Sequence, residues 1–486
     1  MGRVDDILKK HGPMLSGALA LELEQKYELS NEAARQAISR AKSPVQKIKV
    51  FPFNKNQVFC YLESQYNTSL YKAELYRALL EESAVVARIL HALEESNYAM
   101  KKDLLAIYSK SPVENTKGHR NYKRVVADLL QQGILYEMDE YYVVAGDYCG
   151  EECSIKRSRS REQIERIVVN DFMSWASRIN LVAFNSTTVF PSEAVFAHFR
   201  WFAFGPSYVA PLYDFKKNRP GFLVVDVLLK SYASVNDIMF FVDKVNTIRS
   251  FKGLPPFAPV LLVSGVSPEA LRMLKENKVI VGILANIFDD RYVEIMMNMY
   301  NVFCNATAIL MNEPQKIEQL IEDVAKSEGK FNNAMGDLFE CMVGLFFNRI
   351  GSRYLELNKM VRNDKGTSYE MDVLVDREGR ILVIECKALR SRLEFEYVEK
   401  WITTRVPVFR KFLNSIYPGR QLEFSIWALG GFDEHAIEFL EEYKEKQTKY
   451  KISYYSKEDI YNFAKENNDR GFCKQLDKHF KEYGVK

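Results

Sequence analysis

The feature that most constrains this chain is a pair of apolar runs joined by a tight turn, SYEMDVLVDREGRILVIECKAL at 368–389. Both runs are rich in β-branched and aliphatic residues, and Asp376–Arg380 between them is a turn, so the segment reads as two largely buried strands. Charges inside such strands are costly unless something uses them. Asp372 interrupts the first strand, and Glu385-Cys386-Lys387 ends the second. Asp372 and Glu385 are thirteen positions apart across the turn, which lets their carboxylates meet at one end of the sheet. Glu385 and Lys387 differ by two and project from the same strand face.

A preceding helix, GDLFECMVGLFF at 336–347, carries a third acid, Glu340. Asp337, one turn earlier, competes with it, and Glu370 shares the face of Asp372. Clustered carboxylates raise one another's pKa. A hard divalent cation such as Mg²⁺ relieves that repulsion through oxygen ligands, lowers the pKa of bound water and neutralises charge on a phosphate. A lysine beside them is suited to orient the nucleophilic water and stabilise the charge that develops.

An acid on one strand, Glu-x-Lys on the next and an acid-bearing helix before them resemble the PD-(D/E)xK, or restriction-endonuclease-like, superfamily over about residues 325–460. Met371 stands where the family's name has proline. The resemblance implies phosphodiester hydrolysis with Mg²⁺, for which Mn²⁺ can substitute. Asp372, Glu385 and the carbonyl of Cys386 would be metal ligands. Glu340 would act directly, through water or at a second metal, and Lys387 would be catalytic. Arg405 and Arg410 follow on a helix that often faces substrate in this fold.

The whole chain reads as multidomain α/β. Residues 1–65 and 66–150 each show helices followed by a strand pair, resembling winged helix-turn-helix units in pattern. Ser30 is placed to cap a helix over Asn31–Ala41. Cations on the two candidate recognition helices, Arg35, Arg40 and Lys42 in the first and Arg120, Lys123 and Arg124 in the second, are candidate DNA contacts. Lys156, Arg157, Arg159 and Arg161 form a further basic cluster. Residues 160–312 and 316–486 each alternate strands and helices, which suggests two copies of one nuclease-like fold. The first copy reads as degenerate: in GFLVVDVLLK, Asp226 takes the place of the Glu in Glu-x-Lys and Leu228 that of the lysine, with Asp214 as a candidate upstream acid.

Net charge is only +3, so any DNA contact must come from local patches. Apolar runs are too short for a membrane span, and the first residues lack a signal-peptide or myristoylation pattern. Seven scattered cysteines point to a reducing, cytoplasmic setting, and Cys149 and Cys153 lack the second pair of a zinc site. The expectation is a metal-dependent DNA endonuclease of a prokaryotic restriction, anti-phage defence, mobile-element or repair system. A non-catalytic DNA-binding or assembly protein with a vestigial site, or an RNA nuclease, stand as alternatives. No phosphate-loop lysine motif is present, so ATP-driven translocation needs a partner protein. Double-strand cleavage by one site per chain calls for a homodimer.

Overall fold

The structure, a computed structural model, describes residues 2–150, 155–325, 335–363, 368–481 and 483. The side chain of Lys156 and all of Cys153 fall outside the described residues. The protein is multidomain α/β, and its contacts divide it into two compact units, Met1–Asp289 and Asp290–Lys486.

The first unit opens with α1 (Arg3–His11), β1 (Met14–Leu15), α2 (Ser16–Tyr27), α3 (Asn31–Arg40), β2 (Val45–Ile48) and β3 (Phe59–Leu62). The strands form an antiparallel sheet in the order β1-β3-β2. Ser30 Oγ accepts from the Ala33 amide at 3.2 Å, satisfying a donor that would otherwise be orphaned at the start of α3. Ile7, Leu8, Leu19, Leu23, Ile38 and Cys60 make the core beneath it. After α4 (Ser69–Glu82), which Thr68 caps, the same order returns. It runs α5 (Ala84–Glu95), β4 (Ala99–Lys101), α6 (Lys102–Ile107), α7 (Tyr122–Gln131), β5 (Leu135–Met138) and β6 (Tyr141–Val144), with strand order β4-β6-β5.

A short α8 (Gly146–Cys149) leads to α9 (Ile155–Arg178), β7 (Thr188–Val189), the β8 (Val195–Phe196) and β9 (Phe199–Arg200) ribbon, β10 (Ala203–Ser207) and β11 (Gly221–Leu228). Then come α10 (Val235–Arg249), β12 (Phe257–Val263), α11 (Pro268–Glu276), β13 (Ile280–Ile283) and α12 (Leu284–Ile287). The five-stranded sheet has the order β13-β12-β11-β10-β7. Its β7, β10 and β11 pair antiparallel, and β11, β12 and β13 pair parallel.

The second unit begins with α13 (Asp290–Asn312), a stretch the sequence had suggested would close the preceding block; it packs on α14 (Gln315–Ala325) and α15 (Met335–Arg349). One helix was expected around Ile317–Asn348, and 326–334 within it lie outside the described residues. Next are β14 (Tyr354–Arg362), β15 (Ser368–Arg377) and β16 (Arg380–Lys387), all antiparallel. Then follow α16 (Phe395–Lys400), a π-turn at Trp401–Arg405, α17 (Val406–Ile416), β17 (Gln421–Ala428), α18 (Glu434–Lys446), β18 (Lys451–Ser456), α19 (Lys457–Glu466) and α20 (Arg470–His479). Strand order is β14-β15-β16-β17-β18, with β16, β17 and β18 parallel. The two five-stranded sheets therefore share order and direction, strand for strand. Leu338 through Phe347 of α15 are all buried. At Gly344 an added Cβ would collide with Leu310 of α13 and Leu357 of β14, so the missing side chain lets α15 lie close to both.

Candidate active site

β15 carries Asp372, and β16 carries Glu385 and Lys387. Their register sets Val373 opposite Ile384, and one step further Asp372 faces Glu385. Both acids are buried, at 5% and 1% exposure. Such groups need a compensating charge, and Lys387 supplies it. Its ammonium lies 2.8 Å from Glu385 Oε1, 3.4 Å from Asp372 Oδ2 and 3.0 Å from the carbonyl oxygen of Cys386. Two carboxylates and one backbone carbonyl thus converge on a single cation. The Cys386 amide also donates to Asp372 Oδ2 at 2.8 Å.

The electrostatics of the pair are unequal. Burial, then the charge of Glu385, pushes Asp372 up to about 7, against the pull of Lys387 and the Cys386 amide. Burial acts on Glu385 in the same sense, but Lys387, Arg405 and Tyr397 outweigh it and hold that carboxyl below its ordinary value. Burial works against the charge on Lys387, yet Asp372 and Glu385 together keep the ammonium firmly protonated.

A second layer holds Glu385 from the helix that follows. Tyr397 Oη donates to Oε1 at 2.5 Å, Arg405 Nη1 to Oε1 at 3.1 Å and Trp401 Nε1 to Oε2 at 2.9 Å. Residues four apart on an α-helix drift by about 40° around its axis. The wider turn at Trp401–Arg405 takes up that drift, so all three side chains reach one carboxylate. Four-residue spacing of polar-tipped side chains just after Glu-x-Lys was a visible signal for Tyr397 and Trp401 that the strand-based reading passed over. Arg405 is committed to Glu385, and Arg410 lies instead over the Tyr450 ring, 5.6 Å from its centre.

Glu340 is buried on α15, which packs on β15 and β16. Burial, then the charges of Asp372 and Glu340, raises the Cys386 thiol well above its usual range, which puts Glu340 within electrostatic reach of the cluster. Asp337 and Glu370 are half-buried, and Glu370 adds to the upward pressure on Asp372. Among the described residues, no three His, Cys, Asp or Glu side chains converge in a metal-holding group. The oxygen set that faces one point is Asp372, Glu385 and the Cys386 carbonyl, and Lys387 sits on it. These are hard donors of the kind Mg²⁺ takes.

The first sheet supplies an internal comparison. Ala203 pairs with Val225, so Phe202 faces Asp226 as Asp372 faces Glu385. Leu228 ends β11 where Lys387 ends β16. The upstream-acid position is thus filled by Phe202. Asp214 instead bridges Arg219 in the hairpin at the opposite end of these strands. Glu165 on α9, a residue the sequence reading passed over, is fully buried beside this position, with Tyr108 and Arg161 donating to it. Asp226 is paired with Lys244 of α10, both fully buried, and Lys244 also donates to the carbonyls of Ile107 and Arg200 beneath the Trp201 ring. Burial nevertheless pushes Asp226 up to about 6. At this place in the first sheet a phenyl ring and a leucine stand where the second sheet has two charged groups, and a lysine is paired with the remaining acid.

Of the candidate nucleic-acid contacts, Arg35 and Arg40 on α3, Lys42 just beyond it and Lys123 on α7 are exposed. Arg120 is bound to the buried Asp128, and Arg124 reaches the same carboxylate at 3.3 Å. Arg120 therefore belongs to the fold more than to the surface. Arg157 donates to Asn97, and Arg161 is buried against Glu165, so the basic cluster near 156–161 is not one exposed stripe.

No family model and no curated protein matches the chain. Among solved structures, it is similar to a crystal structure of a protein of unknown function at 18% identity and a TM-score of 0.17, covering 25% of this chain and 56% of the other. It is also similar to the small subunit of the heterodimeric restriction endonuclease R.BspD6I at 17% identity and a TM-score of 0.21, covering 33% of this chain and 80% of that subunit. The chain thus spans about half the length of the first of these. No helix among the described residues is long and apolar enough to cross a membrane.

Proposed function

We propose that the second unit is a metal-dependent phosphodiester hydrolase of the PD-(D/E)xK type acting on DNA. The observation that carries this reading is the convergence of Asp372, Glu385 and the Cys386 carbonyl on one cation position. Asp372, Glu385 and that carbonyl would hold Mg²⁺ or Mn²⁺, with Glu340 within reach of the same cluster. A bound divalent ion there supplies a low-pKa water and neutralises phosphate charge. The chain's own groups do the rest. With a metal on that oxygen set, Lys387 would be the group to orient the attacking water and donate toward the scissile phosphate. Tyr397, Trp401 and Arg405 fix Glu385 so that its ligand oxygen does not rotate away.

The element order and sheet order of 1–65 and 66–150 support reading them as winged helices, in which α3 and α7 would be the recognition helices. Arg35, Arg40, Lys42 and Lys123 are then the side chains suited to phosphates and base edges of duplex DNA. The first α/β sheet is read as a degenerate copy that scaffolds these units, since Asp226 is sealed by Lys244. A second chain or a different partner protein would complete double-strand cleavage. Incubating the protein with duplex DNA, single-stranded DNA and RNA of one sequence, with Mg²⁺ or EDTA, tests the reading. Metal-dependent cutting of DNA supports it, and cutting of RNA alone would replace DNA as the substrate.

A further inference from the structure

The hairpin loop between β10 and β11, 208–220, lies at the far end of these strands from Asp226. It reads YVAPLYDFKKNRP, with aromatic and basic residues interleaved. Tyr208 and Phe215 are 61% and 72% exposed, which is unusual for large rings on a folded surface. They are not scattered. Tyr213 lies between them, its ring centre 6.3 Å from that of Tyr208 and 5.0 Å from that of Phe215, so the three rings form one continuous row. Phe184, 78% exposed, follows Ala183, whose amide donates to the Pro206 carbonyl beside this loop.

The loop is held in shape without that row being covered. Asp214 bridges Arg219, a single 3₁₀ turn spans Ala210–Leu212, and Tyr213 Oη donates to Asn218 at 2.6 Å. A side chain at Gly221 would run into the carbonyls of Leu212 and Pro256, so the loop base is tightly packed. Lys216 and Lys217 beside the rings are exposed and take no ion pair among the described residues. With Arg219 and Asp214 the loop carries a net charge of +2, from three cations and one anion.

We propose that this loop binds unpaired nucleic-acid bases. Aromatic rings stack on the faces of unstacked bases, and neighbouring cations neutralise the phosphates between them. A base-paired duplex hides those faces, so the loop discriminates single strand from duplex. A protein partner would also use exposed rings, but the free lysines beside them match a polyanion. The proposal does not depend on the hydrolase reading, because it concerns binding in the first unit and is tested without catalysis.

The test is fluorescence anisotropy of the full chain with a labelled oligothymidine and with a duplex of equal length, both in EDTA so that nothing is cut. The account expects the Tyr208→Ala/Phe215→Ala variant, which removes two stacking rings, to bind the single strand about thirtyfold more weakly or worse while duplex affinity is unchanged. Lys216→Gln/Lys217→Gln is expected to lessen the salt dependence of single-strand binding by a slope of about 1.4. The rings are exposed, so unaltered melting curves will accompany these losses. Unchanged single-strand binding in the aromatic variant, an equal loss on duplex, or no single-strand binding by the wild type overturns the proposal and assigns the row to a protein contact.

Discussion

The indole N–H of Trp401 donates to Glu385 Oε2 at 2.9 Å, on the side of the carboxylate away from Lys387. Tyr397 and Arg405 share the other oxygen with Lys387. Groups that steady a metal ligand typically affect affinity or rate by about 10–100-fold. Arg405→Ala and Trp401→Phe are therefore expected to weaken Mg²⁺ binding, followed by calorimetry, and to slow cleavage by about that factor without abolishing it. Variants that lose neither would mean that Glu385 needs no such support.

Lys387 tests a separate point, since it neutralises the acids and, in the proposed reaction, would also act on the water and phosphate. Removing one partner of a buried charge cluster costs about 3–5 kcal/mol. Lys387→Met should lower the melting temperature of the second unit in EDTA. Added Mg²⁺ should then raise it more than in the wild type, because the oxygen set has lost its resident cation. Equal metal-induced shifts in the two proteins would contradict the shared position.

Asp226 and Lys244 are fully buried partners in the first unit. Breaking the pair with Asp226→Leu or Lys244→Met alone is expected to cost about 3–5 kcal/mol, while the double change to apolar residues should recover most of it. Denaturant unfolding measures this. Neither surviving variant should alter metal-dependent cleavage, and a loss of cleavage from well-folded protein would make the first sheet more than a scaffold.

His479 gives a pH dependence with a definite sign. Burial, assisted by Lys478, lowers its folded pKa to about 4, against an unfolded value of 6.5. Between those values the unfolded chain binds the proton and the folded one does not, so stability is lost as pH falls from about 6.5 toward 4. Melting curves across that range should show a shallower slope for His479→Gln than for the wild type.

The sequence was most readable where period and punctuation agreed. The β15–β16 hairpin, with its two acids thirteen positions apart and its lysine two beyond the second, showed where Asp372, Glu385 and Lys387 would lie on the strands. Ser30 marked the start of α3 through its capping hydroxyl. Edge strand β14 was missed because YLELNKMVR mixes charge with apolar residues and bends at Asn358, which has a positive φ. Strands β7 to β10 are two to five residues long and give too few periods to detect. Phe202 could not be matched to Asp372 from local pattern, since that equivalence exists only through cross-strand register. Likewise Arg120 looked like a surface cation, and only the folded helix reveals Asp128 beneath it.

The most direct test of the central claim is cleavage of supercoiled plasmid by the wild type beside Asp372→Asn and Lys387→Ala, in Mg²⁺, in Mn²⁺ and in EDTA. The account predicts nicked or linear product from the wild type with either metal, none in EDTA, and a loss of at least about a hundredfold in both folded variants. Equal cleavage by the wild type and both variants, or product that persists in EDTA, would contradict it.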